Sequence, residues 1–188
     1  MQKQTPLKKW LMLISLGFMG GTFYMSAYAG STYYTQLVTG LAITNTQYGL
    51  AKTICSPIGI ILLVPGAFLG DKFDAKKTLV FSIGTQSILN LSWPLWVHGF
   101  TTYVAWKVIY TVITIAYWGA LIKYINNLDG EDSAGSSFTT YYLLNGLSGA
   151  LGSFIPLWVS NALNAGIGTI IFVEGVITSV ATILVAVF

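Results

Sequence analysis

The sequence contains no arginine, because all nine basic residues are lysines. A lysine ammonium is a compact point charge, and it lacks the planar guanidinium fork that holds a phosphate or carboxylate through two parallel hydrogen bonds. An anion bound by this chain must therefore be held by ammonium groups, hydroxyls, amides or helix N-termini.

Cysteine, histidine and charge are also scarce. The one cysteine, Cys55, lies in an apolar run and excludes a disulfide within the chain. The one histidine, His98, has no partners at metal-ligand spacing, and the sequence has no glycine-rich nucleotide-binding loop. Nothing in the pattern indicates catalysis, so we expect a protein that is not an enzyme and that binds no metal or cofactor.

The low charge, 8% of residues against about 25% in soluble domains, accompanies 54% hydrophobic residues and a mean hydropathy of +0.70. This composition predicts an all-α membrane protein whose surroundings are the lipid bilayer. After a basic N-terminus at 1–9, six apolar stretches predict a transmembrane domain over 10–188. The approximate helices are 10–36, 47–70, 78–98, 102–124, 137–160 and 166–188. Thr44 and Gln47 have the spacing of a capping box at the start of the second helix.

The lysines outside the spans predict the orientation. They precede the first span, separate the second from the third and end the fourth, whereas the alternate loops contain none. These lysines are Lys3, Lys8, Lys9, Lys72, Lys76, Lys77 and Lys123. By the positive-inside rule we expect both termini to be cytoplasmic. The expected location is the plasma (cell inner) membrane. The net charge of +3 gives no indication of a nucleic-acid partner, because the lysines are scattered among loops and spans.

Two features bear on where the protein begins and ends. Ala27-Tyr28-Ala29 would suit cleavage of a signal peptide, but the apolar run continues past it, which favours a helix. The apolar stretch up to Phe188 carries no basic anchor after it. We therefore expect this chain to be one half of a larger protein.

The turn between the second and third spans carries the densest charge in the chain. It reads Pro65-Gly-Ala-Phe-Leu-Gly-Asp-Lys-Phe-Asp-Ala-Lys-Lys77. This turn resembles the signature loop of the major facilitator superfamily, Gly-x-Leu-Ala-Asp-Arg-x-Gly-Arg-Arg/Lys. Leu69 and Asp71 match it, Lys72 replaces the first arginine, Lys76 and Lys77 keep the basic character, and Asp74 and Ala75 depart from it.

The resemblance implies a fold and a partner. The chain would be the N-terminal half of a twelve-helix transporter, with its six helices arranged as two inverted three-helix repeats. The second six-helix half would be a C-terminal part, a separate chain or a second copy. Asp71 would be the acid of a conformational latch against that half, with Lys72 as its basic companion. The stretch from Tyr117 to Lys123 resembles the end of helix 4 in the sugar-phosphate and organic-anion branch of this superfamily.

Three ionisable residues, Lys52, Lys107 and Glu174, fall inside spans at a similar depth. Such residues usually face a bundle interior and pair with one another, although lysines can also snorkel to the interface. Helix 4 places Tyr103, Lys107, Tyr110, Thr114 and Tyr117 on one face, and helix 1 carries Tyr24, Tyr28 and Ser31. The predicted substrate-binding residues are Lys107, Tyr110, Thr114, Tyr24, Tyr28 and Lys52.

Glu174 is predicted as either an ion-coupling residue or a structural partner. Gln86 and Asn90 of the third span are expected to form hydrogen bonds between helices.

The function expected from these features is secondary active transport, by alternating access, of a small polar, anionic organic solute. One alternative is a proton-coupled exporter of neutral solutes or drugs. Another is a truncated or accessory six-helix membrane protein without transport activity of its own.

Overall fold

The structure is a computed structural model that describes residues 6–129 and 134–188. Every regular element in these ranges is a helix. The helices are α1 (Pro6–Phe23), α2 (Met25–Thr32), α3 (Tyr34–Gly40), α4 (Asn45–Lys72), α5 (Ala75–Leu91), α6 (Trp93–Trp96), α7 (Phe100–Thr114), α8 (Tyr117–Asp129), α9 (Ala134–Ala162) and α10 (Ile167–Val187). We group them as segment 1 (α1–α3), segment 2 (α4), segment 3 (α5–α6), segment 4 (α7–α8), segment 5 (α9) and segment 6 (α10).

Four stretches of the described residues are long and apolar enough to cross a membrane. They are Asn45–Lys72, Phe100–Leu128, Gly135–Ala162 and Ile167–Val187. The pair Leu7–Phe23 and Met25–Thr32, bent by 43°, makes a fifth if it is taken as one span. These helices correspond to predicted spans at 47–70, 102–124, 137–160, 166–188 and 10–36.

The remaining predicted span, 78–98, is divided into two shorter helices. α5 has 17 residues, which rise about 26 Å and fall short of the ~30 Å hydrocarbon core. Ser92 separates it from the four-residue α6, which holds Pro94 in its first turn. A single helix over 10–36 is also wrong, because segment 1 is interrupted at Tyr24 and again at Tyr33.

Polar side chains define the starts of two long helices. At the start of α4, the Thr44 hydroxyl accepts from the Gln47 N–H at 3.2 Å and the Gln47 Oε1 accepts from the Thr44 N–H at 2.8 Å. This pair confirms the predicted capping box. At the start of α5, Asp74 Oδ1 accepts from the Lys77 N–H at 2.9 Å. Asp74, which departs from the signature loop, is therefore the N-cap of α5.

The segments pack in pairs. The principal contacts join segment 1 to segment 5, segment 2 to segment 4, and segment 3 to segment 6. Glycines allow close approach at two crossings. A methyl group added at Gly70 would lie 2.8 Å from the Ala120 backbone nitrogen, and one added at Gly21 would lie 2.5 Å from that of Gly149. The backbones of these helix pairs are therefore close enough to exclude side chains.

The basic turns meet at one end of the bundle. A cavity of about 550 Å³ there is lined by residues that include Lys8, Lys72, Lys76, Lys123 and Phe188. The start of segment 1, the turn between segments 2 and 3, the end of segment 4 and the end of segment 6 thus share this end. We call it the lysine end, and the opposite end the far end.

Lys123 connects two elements at the lysine end. Its ammonium donates to the carbonyl oxygens of Asp71 at 2.6 Å and Phe73 at 2.9 Å. Carbonyls in the last turn of a helix have no partner within the helix, and a cation there also complements the helix dipole. Lys123 therefore closes the end of α4 and attaches the turn after it to α8.

Gly70→Ala should destabilise the protein because its methyl group would meet backbone atoms of α8. Overpacking of this kind typically costs ~1–3 kcal/mol. The midpoint of thermal unfolding of the purified protein in detergent should fall. Gly49→Ala, in the same helix but with no atom within 4 Å of the added methyl, is the matched control. Equal midpoints for the two variants would contradict the close approach of α4 and α8.

Candidate functional site

Two of the predicted lysines share one cavity. It measures about 370 Å³ and lies between α4, α7 and α2. Its lining residues are Ala27, Lys52, Cys55, Ser56, Gly59, Trp106, Lys107, Tyr110 and Thr111. No carboxylate occurs among these described lining residues. The cavity therefore combines two cationic groups with hydroxyls and an aromatic wall.

Each lysine is positioned by a tyrosine one turn earlier in its helix. Lys52 Nζ lies 4.6 Å from the centroid of the Tyr48 ring, and Lys107 Nζ lies 5.6 Å from that of Tyr103. Both distances are in the range of cation–π attraction. The two ammonium groups are also close enough to repel one another. An anion between them would relieve that repulsion.

A second and larger cavity, of about 840 Å³, lies between segments 1 and 5. Tyr24 and Tyr28 line it, together with Trp118 of α8 and Asn145 of α9. No charged side chain occurs among its described lining residues. Tyr28 faces this cavity while the adjacent Ala27 faces the lysine cavity, so the two cavities flank α2.

Tyr110 is held by the backbone of segment 1. Its hydroxyl donates to the Phe23 carbonyl at 2.8 Å and contacts the Ala27 N–H. In an uninterrupted helix these two groups would bond to each other. A side chain inserted into the helical hydrogen-bond ladder is an established cause of kinks. We attribute the bend between α1 and α2 to this insertion.

Gln86 and Asn90 form the predicted hydrogen bonds between helices. Gln86 Nε2 donates to the Phe23 carbonyl at 2.7 Å, and Asn90 Nδ2 donates to the Ser26 hydroxyl at 2.6 Å. Glu174 of α10 is fully buried and interacts with Ser26. The structure thus places Glu174 with these amides and apart from the lysine cavity.

The other predicted residues are distributed over the bundle. Thr114 lines neither of the two cavities, and its hydroxyl donates to the Tyr110 carbonyl at 2.8 Å. Asp71 is exposed and lines a groove of about 430 Å³ with Ala67 and Gly119. Lys72 Nζ lies 5.8 Å from the centroid of the Phe68 ring. These roles in binding and in a latch stay predictions.

Some residues at these sites were not identified from sequence. Ser56 and Thr111 contribute hydroxyls to the lysine cavity, and Ser26 completes the buried group around Glu174. The spacing of Lys52 and Ser56, and of Lys107 and Thr111, places each hydroxyl one turn beyond its lysine on the same helix face. This spacing is visible in the sequence and could have identified both hydroxyls. Ser26 had no comparable signal, because its partners come from distant segments.

The chain resembles two curated proteins of Escherichia coli strain K12. It is 24% identical over 157 residues to the inner membrane protein YqcE, covering 81% of this chain and 36% of that protein. It is 21% identical over 182 residues to the inner membrane protein YihN, covering 88% of this chain and 43% of that protein. The chain is an integral membrane protein. It spans less than half the length of these relatives.

Two other comparisons gave no match: no family model and no solved structure matches the chain.

Tyr110→Phe should destabilise the protein, because it leaves the Ala27 N–H without its contact and the Phe23 carbonyl with one donor fewer. An unsatisfied buried group costs ~1–3 kcal/mol. Thermal unfolding in detergent measures the difference. Tyr142→Phe removes the hydroxyl of an exposed tyrosine in α9 and should leave the midpoint unchanged. A Tyr110→Phe midpoint equal to wild type would rule out the hydroxyl as a structural link.

Proposed function

We propose that this chain forms part of a secondary active transporter that moves a small anionic organic solute by alternating access. The observation that carries the proposal is the lysine cavity, in which Lys52 and Lys107 lie together without a lining carboxylate. Ionisable residues within membrane spans are rare, and they typically mark substrate or ion pathways.

The electrostatics of the cavity favour an organic anion. Two ammonium groups that repel each other raise the affinity for negative charge, and the hydroxyl of Ser56 can donate a further hydrogen bond. The Thr111 hydroxyl already donates to the Lys107 carbonyl at 2.8 Å, so it offers the cavity only its acceptor side. Trp106 supplies an apolar wall for the carbon skeleton of the solute. With no arginine in the chain, the anion would be bound by point charges and hydroxyls.

We further propose that the chain adopts the six-helix arrangement of the major facilitator superfamily. The turn after α4 supports this through Leu69, Asp71 and Lys72. The packing pairs also support it. If segments 1, 2 and 3 change places with segments 4, 5 and 6 in that order, the 1–5 pair becomes the 4–2 pair and the 3–6 pair stays the same. Two inverted repeats would produce that relation.

A second half is part of the proposal. The two relatives are more than twice as long as the matched region, which is consistent with a partner of similar size. Asp71 would then contact the N-terminus of a helix in that half. The exposed position of its carboxylate, beside the groove between α4 and α8, leaves it free to do so.

The relatives' names support the inner membrane as the location, and the lysine end would face the cytoplasm.

Lys107→Ala should reduce uptake of the anionic solute by ~10–100-fold, because a hydrogen bond to a charged group contributes ~1.5–3 kcal/mol. The measurement is uptake of radiolabelled phosphorylated sugars and organic carboxylates by cells that express the full-length gene product. Lys77→Ala, an exposed lysine outside the cavity, should transport normally.

Immunoblots of the membrane fraction will show that both variants insert. Wild-type uptake by Lys107→Ala would contradict the proposal that this lysine binds the solute.

The orientation can be tested by cysteine labelling in a Cys55→Ser background. Thr46→Cys, at the far end, should react with a membrane-impermeant maleimide added to intact cells. Lys77→Cys, at the lysine end, should react only after the cells are permeabilised. The opposite pattern would place the lysine end outside.

A neutral solute is the second candidate, and the 840 Å³ cavity favours it because its described lining residues carry no charge. In that case uptake would survive Lys107→Ala and would depend on Asn145, which lines the larger cavity.

A further inference from the structure

The core between segments 1, 3 and 6 contains a group of buried polar side chains without enough hydrogen-bond donors. Gln86, Asn90 and Glu174 are each 0% exposed, and Ser26 is 2% exposed. The unpartnered atoms are Gln86 Oε1, Asn90 Oδ1, Glu174 Oε1 and Glu174 Oε2. All four are hydrogen-bond acceptors.

The geometry brings these residues to one place. Asn90 Nδ2 lies 2.6 Å from the Ser26 hydroxyl, and the same hydroxyl faces the Glu174 carboxyl without completing a hydrogen bond to it. A methyl group added at Gly175 would lie 3.1 Å from Asn90 Cβ, so α10 and α5 approach closely at this level. Gln86 is one turn before Asn90 on the same face of α5.

The group also adjoins the interruption of segment 1. Gln86 Nε2 donates to the carbonyl of Phe23, the last residue of α1, and Ser26 lies in the first turn of α2. In membrane transporters, interrupted helices with oxygen atoms gathered at the break are typical places for sodium ions.

No salt bridge or basic partner of the Glu174 carboxyl is recorded among the described residues. Tyr33 and Tyr110 are ionisable residues near enough to interact with it. Both hydroxyls donate elsewhere: Tyr33 to the Ser153 carbonyl at 2.6 Å and Tyr110 to the Phe23 carbonyl at 2.8 Å. Neither therefore supplies a proton or a positive charge.

We propose that Glu174, Asn90, Gln86 and Ser26 form a binding site for one sodium ion. A hard cation requires several oxygen ligands, and the group offers four unpartnered ones together with the Ser26 oxygen. A proton on Glu174 would add one donor and leave other acceptors unsatisfied. One carboxylate matches a single positive charge, whereas a divalent ion would leave an excess charge buried.

The site deepens the proposed function if the protein is a transporter, since a sodium ion could then drive uptake. Binding to the purified protein is measured without any transported solute, however. The two proposals can therefore fail separately.

The test is thermal unfolding of the purified protein in detergent, in sodium, potassium or N-methylglucamine chloride at equal ionic strength. Sodium should raise the wild-type midpoint in a saturable manner, by roughly 5–10 °C at one hundred times the dissociation constant. Glu174→Gln, which keeps the shape and adds donors for the neighbouring oxygens, should lose the response. Ser179→Ala, on the same helix, should keep it.

The wild-type titration alone can overturn the proposal, so the test does not depend on the folding of any variant. Equal midpoints in all three salts would exclude a sodium site, and so would a response to pH without a response to sodium. A sodium response that persists in Glu174→Gln would place the ion elsewhere.

Discussion

A hydrocarbon environment offers no water to a backbone carbonyl, so every interruption of a membrane helix must be satisfied from within the protein. The Phe23 carbonyl is the point at which this constraint acts most visibly. Gln86 of segment 3 and Tyr110 of segment 4 both donate to it. Three segments therefore meet at one acceptor, and the bend of segment 1, the position of α7 and the buried amides of α5 are all coupled to that atom.

The local features of the fold could be predicted from sequence because their causes lie close together in the chain. The capping box uses residues three apart, and the amides of Gln86 and Asn90 are conspicuous in an apolar stretch. The bend at Tyr24 could not be predicted in this way. Its cause is a tyrosine 87 residues away from Phe23, and a side chain that enters a helix from another segment leaves no mark on the helix's own periodicity.

The residues of the candidate site also differ in how far sequence could predict them. Lys52 and Lys107 were predicted together because charge inside an apolar run is easily noticed, and the structure places both in one cavity. Glu174 was conspicuous for the same reason, but depth alone could not show which partners surround it. Ser26, which accompanies it, is a small neutral residue of a kind that is common in membrane helices. The positions of charged residues could thus be predicted from sequence. Which neutral polar groups surround them could be seen only once the packing of three segments was known.

The attachment of Lys123 to the Asp71 and Phe73 carbonyls has a mechanical consequence. α8 is separated from α7 at residues 115–116, and Gly66 lies against that interruption, with its added methyl 2.6 Å from the Ile115 oxygen. A rotation of α8 about this joint would carry the turn after α4 with it. The C-terminal part of segment 4 and the charged turn after α4 would then move as one unit.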